Sequence, residues 1–405
     1  MRRSQFTGGG PGRRDQAIPK DRSPFSPGRP VPPELFVGRE AEVEMIMRAA
    51  RQVALRKQEN VFITGEYGIG KSSVAAFVRE AAERECQLTG FHVFLGGVAT
   101  LEEMIGQVVS SVVQQAHSRG QFDRLRGLLG RYVKELTLFG VTLNLEAVRR
   151  DAAEMSRGFL GFLRQIHLSL AEHHAGMILV LDDLNGITSE PRFASLLKST
   201  VAEIAVGGRP LPLLLILTGA PERREEMIRH QPSIARIFQI AEISPLEEVQ
   251  VKAFYVKAFQ SVGFRVEKKA LGLMARWAGG QPKLMHEIGE QTFWRSQAHL
   301  ITPEVAQLGI LAAADAVGRK YFASIQHALR SADYHSILKK IGAMDVGLSF
   351  SKADVERRLS ESEKRKLNSF LQRMKKLGGL RPGASRGEWV FPNELLRLYL
   401  LMEAG

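Results

Sequence analysis

Three glycines, a lysine and a serine stand together in Gly65-Glu66-Tyr67-Gly68-Ile69-Gly70-Lys71-Ser72. This spacing suits the binding of a phosphate chain. Glycines let the backbone curl until several N–H groups face one anion, and a helix that starts there adds its positive end. Lys71 is long enough to meet β- and γ-phosphates, and the Ser72 hydroxyl is a ligand type for Mg²⁺. Gly65, Tyr67, Gly68, Ile69, Gly70, Lys71, Ser72 and Ser73 are therefore the candidate nucleotide-binding residues, with ATP and Mg²⁺ as the expected ligands. A plain strand-to-helix turn would need no Lys-Ser pair.

A second constellation follows the apolar run Met177-Ile178-Leu179-Val180-Leu181, which ends in Asp182 and Asp183. A continuous apolar run reads as a strand buried on both faces of a parallel sheet. Its carboxyl end is where ligands bind in open α/β sheets. Alone, the two acids would serve as well to cap a helix. Behind the glycine loop they read as the acidic pair of an ATPase, with Asp182 holding Mg²⁺ through water and Asp183 activating the attacking water. A third buried run, Leu213–Leu217, ends in Thr218, whose hydroxyl either meets the γ-phosphate or the attacking water, or simply closes a strand.

The elements that must hold these residues are legible around them. Val61-Phe62-Ile63-Thr64 is a strand before the glycine loop, and Val74, Phe77, Val78, Ala81 and Ala82 share one face of a helix after it. A helix through about Leu55 precedes them. Further strands are expected at Phe91–Leu95 and Ile237–Ile243, with Arg236 just before the latter. Between the second strand and Met177 lies an insertion, about 100–175. It is read as helices at Leu101–Ala116, Gln121–Leu136 and Leu145–His174 with a small hairpin around Gly140. The predicted fold class is α/β, a phosphate-loop core with a parallel sheet over 35–244.

From 245 the pattern turns helical. Helices at Glu247–Val262, Lys268–Ala278, Pro282–Ser296 and Pro303–Phe322 make a lid over 245–325. Residues 326–405 read as three helices followed by strand, basic loop and strand, which is the order of a winged helix. Its third helix, Glu363–Leu377, buries Leu367, Phe370, Leu371, Met374 and Leu377 and presents Arg365, Arg373 and Lys376 on the other face. With Arg381 and Arg386 of the loop, these are the candidate contacts to duplex DNA. The alternative is a winged helix used for protein contacts.

Charge agrees with a polyanionic partner. The chain has 405 residues and a net charge of +13. Ten of those charges sit outside the core: residues 1–35 carry seven Arg/Lys against three acids, and 331–390 carry thirteen against seven. Residues 1–34 hold seven of the seventeen prolines with few apolar residues, and are expected to form a disordered basic arm. No apolar run reaches the roughly 18–20 residues of a membrane span. One cysteine, Cys86, excludes an internal disulfide. With no apolar stretch behind the first residues to read as a secretory signal, a cytoplasmic protein is expected.

The chain resembles AAA+ ATPases of the origin-recognition, initiator and STAND kind over roughly 35–400. Gly65–Ser72 matches their Walker A and Ile178–Asp183 their Walker B. Phe36-Val37-Gly38-Arg39-Glu40 resembles their opening motif, which implies that Phe36, Val37 and Gly38 lie along the adenine. The resemblance puts Thr218 at sensor 1, Arg236 at the finger that reaches a neighbour's γ-phosphate, Pro282 in the G-x-P motif and Lys283 at sensor 2. It departs from the pattern in the Asp-Asp pair, in Lys for Arg at sensor 2, and in having no repeat array after the winged helix. It implies either an ATP-dependent switch that forms homo-oligomers on ATP and binds duplex DNA, or a signalling or defence ATPase. In the latter, the winged helix is a latch and the partner is a separate effector protein. A small-molecule kinase has no acceptor site in this sequence.

Overall fold

The computed structural model describes residues 22–29, 31–118, 133–137, 140–143, 152–170, 173–206, 210–344 and 347–404. They divide into two compact units, one of described residues within 31–34 and 38–245, the other of those within 22–29, 35–37 and 246–404.

The first unit runs α1 (Glu40–Ala54), β1 (Glu59–Thr64), α2 (Lys71–Glu85), β2 (Leu88–Phe94), α3 (Leu101–Ser118), β3 (Val133–Thr137), β4 (Gly140–Leu143) and α4 (Ala152–Leu170). It continues with β5 (Gly176–Asp182), α5 (Pro191–Val206), β6 (Leu213–Gly219), α6 (Pro221–His230), the single turn α7 (Ile234–Ile237) and β7 (Gln239–Glu242). Five strands form a parallel sheet in the order β2-β5-β6-β1-β7. Because side chains alternate along a strand, each central strand needs apolar residues on both faces. Leu179, Leu181, Leu213, Leu215 and Leu217 pack with α3, α4 and α5 in one core. Their neighbours Ile178, Val180, Leu214 and Ile216 are buried on the other face, where α1 and α2 lie against β5 and β6. The predicted α/β core is thus the fold observed.

The sheet order does the positioning. β5, β6 and β1 are adjacent, with Leu181 opposite Leu217 and Ile63 opposite Thr218. The glycine loop after β1, Asp182 at the end of β5 and Thr218 near the end of β6 therefore meet at one sheet edge.

Two local readings change. Gln121–Leu136 is expected as a helix, but its last residues are strand: Val133–Thr137 pairs antiparallel with Gly140–Leu143, Thr137 opposite Gly140. The hairpin expected around Gly140 reaches back to take these residues. The rest of that expected helix, 121–132, lies outside the described residues. The fifth strand is shorter than Ile237–Ile243 because its first residue closes the turn α7.

The second unit holds α8 (Glu248–Gln260), β8 (Arg265–Val266), α9 (Lys268–Ala278), α10 (Pro282–Arg295), β9 (Leu300–Ile301) and α11 (Pro303–Ala328). It goes on to α12 (Ala332–Gly342), β10 (Ser349–Ser351), α13 (Lys352–Glu356), α14 (Glu361–Lys376), β11 (Arg381–Pro382), β12 (Glu388–Val390) and α15 (Glu394–Ala404). α14 opens on a capping box in which Ser360 and Glu363 satisfy each other's backbone N–H groups. β10, β12 and β11 form a small antiparallel sheet in that order. α15, absent from the sequence reading, packs on α11 and α12. Its Tyr399 ring fills the space a Cβ would take at Gly318.

The N-terminal segment is a further correction. Residues 1–34 are expected to form an unstructured arm, and 1–21 lie outside the described residues. Residues 22–29, however, are laid on α8 and α10. Phe25 is buried edge-on against Phe254 and Phe259, over Gly289, where any Cβ would collide with its ring. Ser26 N donates to His286 Nδ1 at 3.0 Å, and Ser23 Oγ donates to Glu290. Burial pushes His286 down to about 4, so the ring is neutral and can accept. One aromatic side chain, worth about 2–3 kcal/mol when buried, anchors a stretch that composition alone assigns to disorder. Among the described residues no helix is long and apolar enough to cross a membrane.

Candidate nucleotide site

The loop between β1 and α2 curls where glycine permits it. Gly68 and Gly70 have φ of 79° and 102°, a region that disfavours side chains, and Gly70 is the N-cap of α2. Its cap has no side-chain hydrogen bond, so the first N–H groups of α2 are left for an anion. Lys71 Nζ folds back onto the loop, donating to Gly65 O at 2.9 Å and Glu66 O at 2.8 Å. Burial pushes its ammonium below the usual range, opposed by the charges of Asp182, Asp183, Glu222 and Glu66. A phosphate would replace two neutral carbonyl acceptors with a charged one.

Asp182 is fully buried and forms the centre of a hydrogen-bond network. Ser72 Oγ donates to its Oδ1 at 3.0 Å and the Thr218 hydroxyl donates to the same oxygen. His92 Nε2 lies 2.9 Å from Oδ2. Burial alone would raise this carboxyl. The bonds from His92, Thr218 and Ser72 outweigh it and hold the group below the usual carboxylate range. Asp182 is therefore ionised. An ionised carboxylate beside a serine hydroxyl is a hard-oxygen pair, which fits Mg²⁺.

Asp183 follows in a left-handed conformation, φ 63°. Its N–H donates to Thr218 Oγ1 at 3.0 Å, and Asn185 Nδ2 donates to its carboxylate. A Cβ at Gly96 would come within 2.8 Å of Asp183 Oδ2, so glycine at that position leaves the carboxylate its place.

The structure thus brings Lys71, Ser72, Asp182, Asp183 and Thr218 to one edge. Arg236 is exposed on α7 of the same unit. Tyr67 is 75% exposed in the loop. Ser73 Oγ accepts from Val31 N at 3.3 Å. Phe36, Val37, Pro282 and Lys283 belong to the other unit, where burial pushes Lys283 down to about 8. Gly38 and Arg39 belong to this one. Arg39 is nine-tenths buried, with φ 78°, and its guanidinium donates to Ile69 O at 3.4 Å. It ties the opening motif to the phosphate loop.

Two participants escaped the sequence reading, His92 and Arg39. His92 sits mid-strand with no motif around it, and only the pairing of β2 with β5 brings it to Asp182. Arg39 lies inside the opening motif, where the apolar residues beside it carry the expected adenine contact. In the second unit, Arg365, Arg373 and Lys376 on α14 and Arg381 and Arg386 beside β11 and β12 are all exposed.

Residues 35–216 match the AAA ATPase domain family. Among curated proteins, none matches in sequence. Solved structures share the fold at low identity. The ORC2 protein of Aeropyrum pernix, in ADPNP and ADP complexes, is 13% identical with a TM-score of 0.60, over 95% of this chain and 97% of that one. A Walker-type ATPase of Pyrococcus abyssi is 14% identical with a TM-score of 0.54, over 90% and 96%. The ORC1 protein of Aeropyrum pernix in complex with DNA is 15% identical with a TM-score of 0.50, over 91% and 93%.

Proposed function

We propose that this chain, whose residues 35–216 match the AAA ATPase domain family, is an ATP-driven, Mg²⁺-dependent switch of the initiator and STAND kind that oligomerises on ATP and acts on duplex DNA. The observation that carries the ATPase reading is the shared bond of Ser72 and Thr218 to the buried, ionised Asp182, one loop away from Lys71.

In the working site the N–H groups at the start of α2 and the Lys71 ammonium bind and neutralise the phosphate chain. Ser72 and Asp182 would hold the cation, which when bound neutralises charge on the β- and γ-oxygens. Asp183 takes the proton of the attacking water, and the bond from its own N–H to Thr218 fixes where that carboxylate starts. By the resemblance to AAA+ proteins, Phe36, Val37 and Gly38 would serve the adenine, and Pro282 and Lys283 the phosphates.

The DNA reading is supported by the second unit. Three helices, α12, α13 and α14, and the β10-β12-β11 sheet support a winged helix at 326–405. The cationic side chains of α14 and of the hairpin are exposed, as a groove-and-backbone contact requires. The domain scheme then reads as a core over 35–244, a lid over 245–325 and a winged helix beyond.

Lys71→Ala tests the foundation. ATP binding measured by calorimetry or with a fluorescent analogue is expected to fall below detection while the thermal melting point stays near that of the wild type. Retained affinity would overturn the phosphate-loop assignment.

A further inference from the structure

Among the described residues β2 is an edge strand, paired with β5 on one side. At His92 its free side is closed by a side chain that imitates a strand. Gln115 Oε1 of α3 accepts from His92 N at 3.1 Å, and Gln115 Nε2 donates to His92 O at 2.9 Å. The imidazole stacks on Phe94, centroids 4.6 Å apart and planes 21° from parallel. It is thus held from the backbone and from one ring face, and its Nε2 ends 2.9 Å from Asp182 Oδ2.

The Asp182 carboxylate only accepts, so the proton of this bond is on Nε2. Among the described residues, Oδ1 of Asp182 receives two donors, Ser72 and Thr218, and Oδ2 receives His92 alone. Each carboxylate oxygen has two lone pairs. Oδ1 is saturated, and the one lone pair left to the site is on Oδ2, beside His92.

We propose that His92 is a positioning residue of the ATPase site: clamped by Gln115 and Phe94, it fixes the plane of the Asp182 carboxylate and reserves the second lone pair of Oδ2 for the water shell of Mg²⁺. This rests on the assignment of Asp182 to the cation. Groups that orient a metal-binding carboxylate characteristically set metal affinity. His92 acts through Asp182, its partner at Oδ2. A purely structural pair would stabilise the sheet edge and leave the metal response unchanged.

The test uses the full-length protein and a fluorescent ATP analogue, titrated with MgCl₂, in wild type, His92→Leu, His92→Asn and His92→Gln. Glutamine reaches about as far as Nε2, whereas asparagine is polar but too short. Metal-free affinity is expected to stay within about twofold of wild type in all four. The Mg²⁺ concentration for half-maximal tightening is expected to rise about tenfold in His92→Leu and His92→Asn, and to return to within about threefold in His92→Gln. If His92→Leu does not fold, as judged by thermal melting, the Asn and Gln pair decides. A wild-type Mg²⁺ midpoint in His92→Leu, or equal behaviour of Asn and Gln, overturns the role of His92 alone. A wild type whose affinity ignores Mg²⁺ overturns the Asp182 assignment and this inference together.

Discussion

Thr218 gives its hydroxyl proton to Asp182 and with the same oxygen accepts the N–H of Asp183 at 3.0 Å. One side chain on β6 therefore fixes both acids at the end of β5. Thr218→Val keeps the shape and removes both bonds. It leaves a buried carboxylate short of a donor, at a cost of roughly 1–3 kcal/mol in chemical denaturation. Turnover is expected to fall about 10²-fold with smaller change in ATP affinity, because the acids lose their positions rather than the loop its shape. Asp183→Asn separates the effects. Asparagine tolerates the left-handed backbone at φ 63°, so the fold is retained, and loss of the base is expected to cost about 10²-fold or more in kcat. Normal hydrolysis by Asp183→Asn would reassign the base.

The parts of this site that sequence made legible are those where one residue type has one physical use. Glycines before Lys71-Ser72, and acids after a run too apolar for an exposed strand, announce themselves. His92 does not, because its role depends on which strand lies next to β2. Phe25 was unreadable for the opposite reason: its surroundings are rich in proline and arginine, and the aromatic cluster that receives it lies more than two hundred residues away. α15 carries a dense run of buried residues, Leu395, Leu396, Leu398, Tyr399 and Leu400, whose role shows in its packing on α11 and α12.

Glu363 is expected to make the stability of the second unit pH-dependent. Its carboxylate accepts from Lys340 Nζ and Ser336 Oγ, both at 2.6 Å, and from Ser360 N at 2.6 Å. Those bonds, the one from Lys340 first, pull it down to about 2 from an ordinary 4.5. A depressed carboxylate contributes stability above its unfolded value and loses it as pH falls through its folded one. The unit is therefore expected to lose stability between about pH 4.5 and 2. Glu363→Gln removes roughly 1–2 kcal/mol at neutral pH, less than the full shift implies because Lys340 is itself partly open to solvent. Denaturant melts at pH 7 and pH 3 measure it: the difference between wild type and Glu363→Gln should shrink at the lower pH. An unchanged difference would show that the pairing does not control folding.

Arg236 is exposed at the end of α7, while Lys71 already serves the loop of its own chain. An exposed guanidinium suits a finger offered to a second copy. Arg236→Ala is expected to bind ATP normally and to hydrolyse it at least about 10³-fold more slowly, the scale of an arginine finger. Mixing Arg236→Ala with Asp183→Asn subunits should recover part of the activity, since each supplies what the other lacks. Turnover without recovery in the mixture, together with a wild type that stays monomeric on ATP by mass photometry, would make the residue's role internal or nil.

Exposed charge and one C-terminal module support DNA binding. Arg365, Arg373 and Lys376 lie along α14 opposite the buried stripe of Leu367, Phe370, Leu371 and Met374. In the proposed complex the exposed face of this helix would enter a groove, and Arg381 and Arg386 of the hairpin would meet the backbone. Each phosphate contact releases counterions, so each one lost lowers the slope of log affinity against log salt by about one unit. Arg373→Glu with Arg386→Glu is expected to remove duplex binding while ATP binding is unchanged. Deleting residues 1–20, which carry five Arg/Lys and one acid, should weaken binding more gently, because diffuse charge contributes without specific contacts. The measurement is a fluorescence-anisotropy titration of a labelled duplex at two salt concentrations, with and without ATP. No retention on any duplex at low salt with ATP would turn the same basic face into a latch, and the partner to seek would be an effector protein.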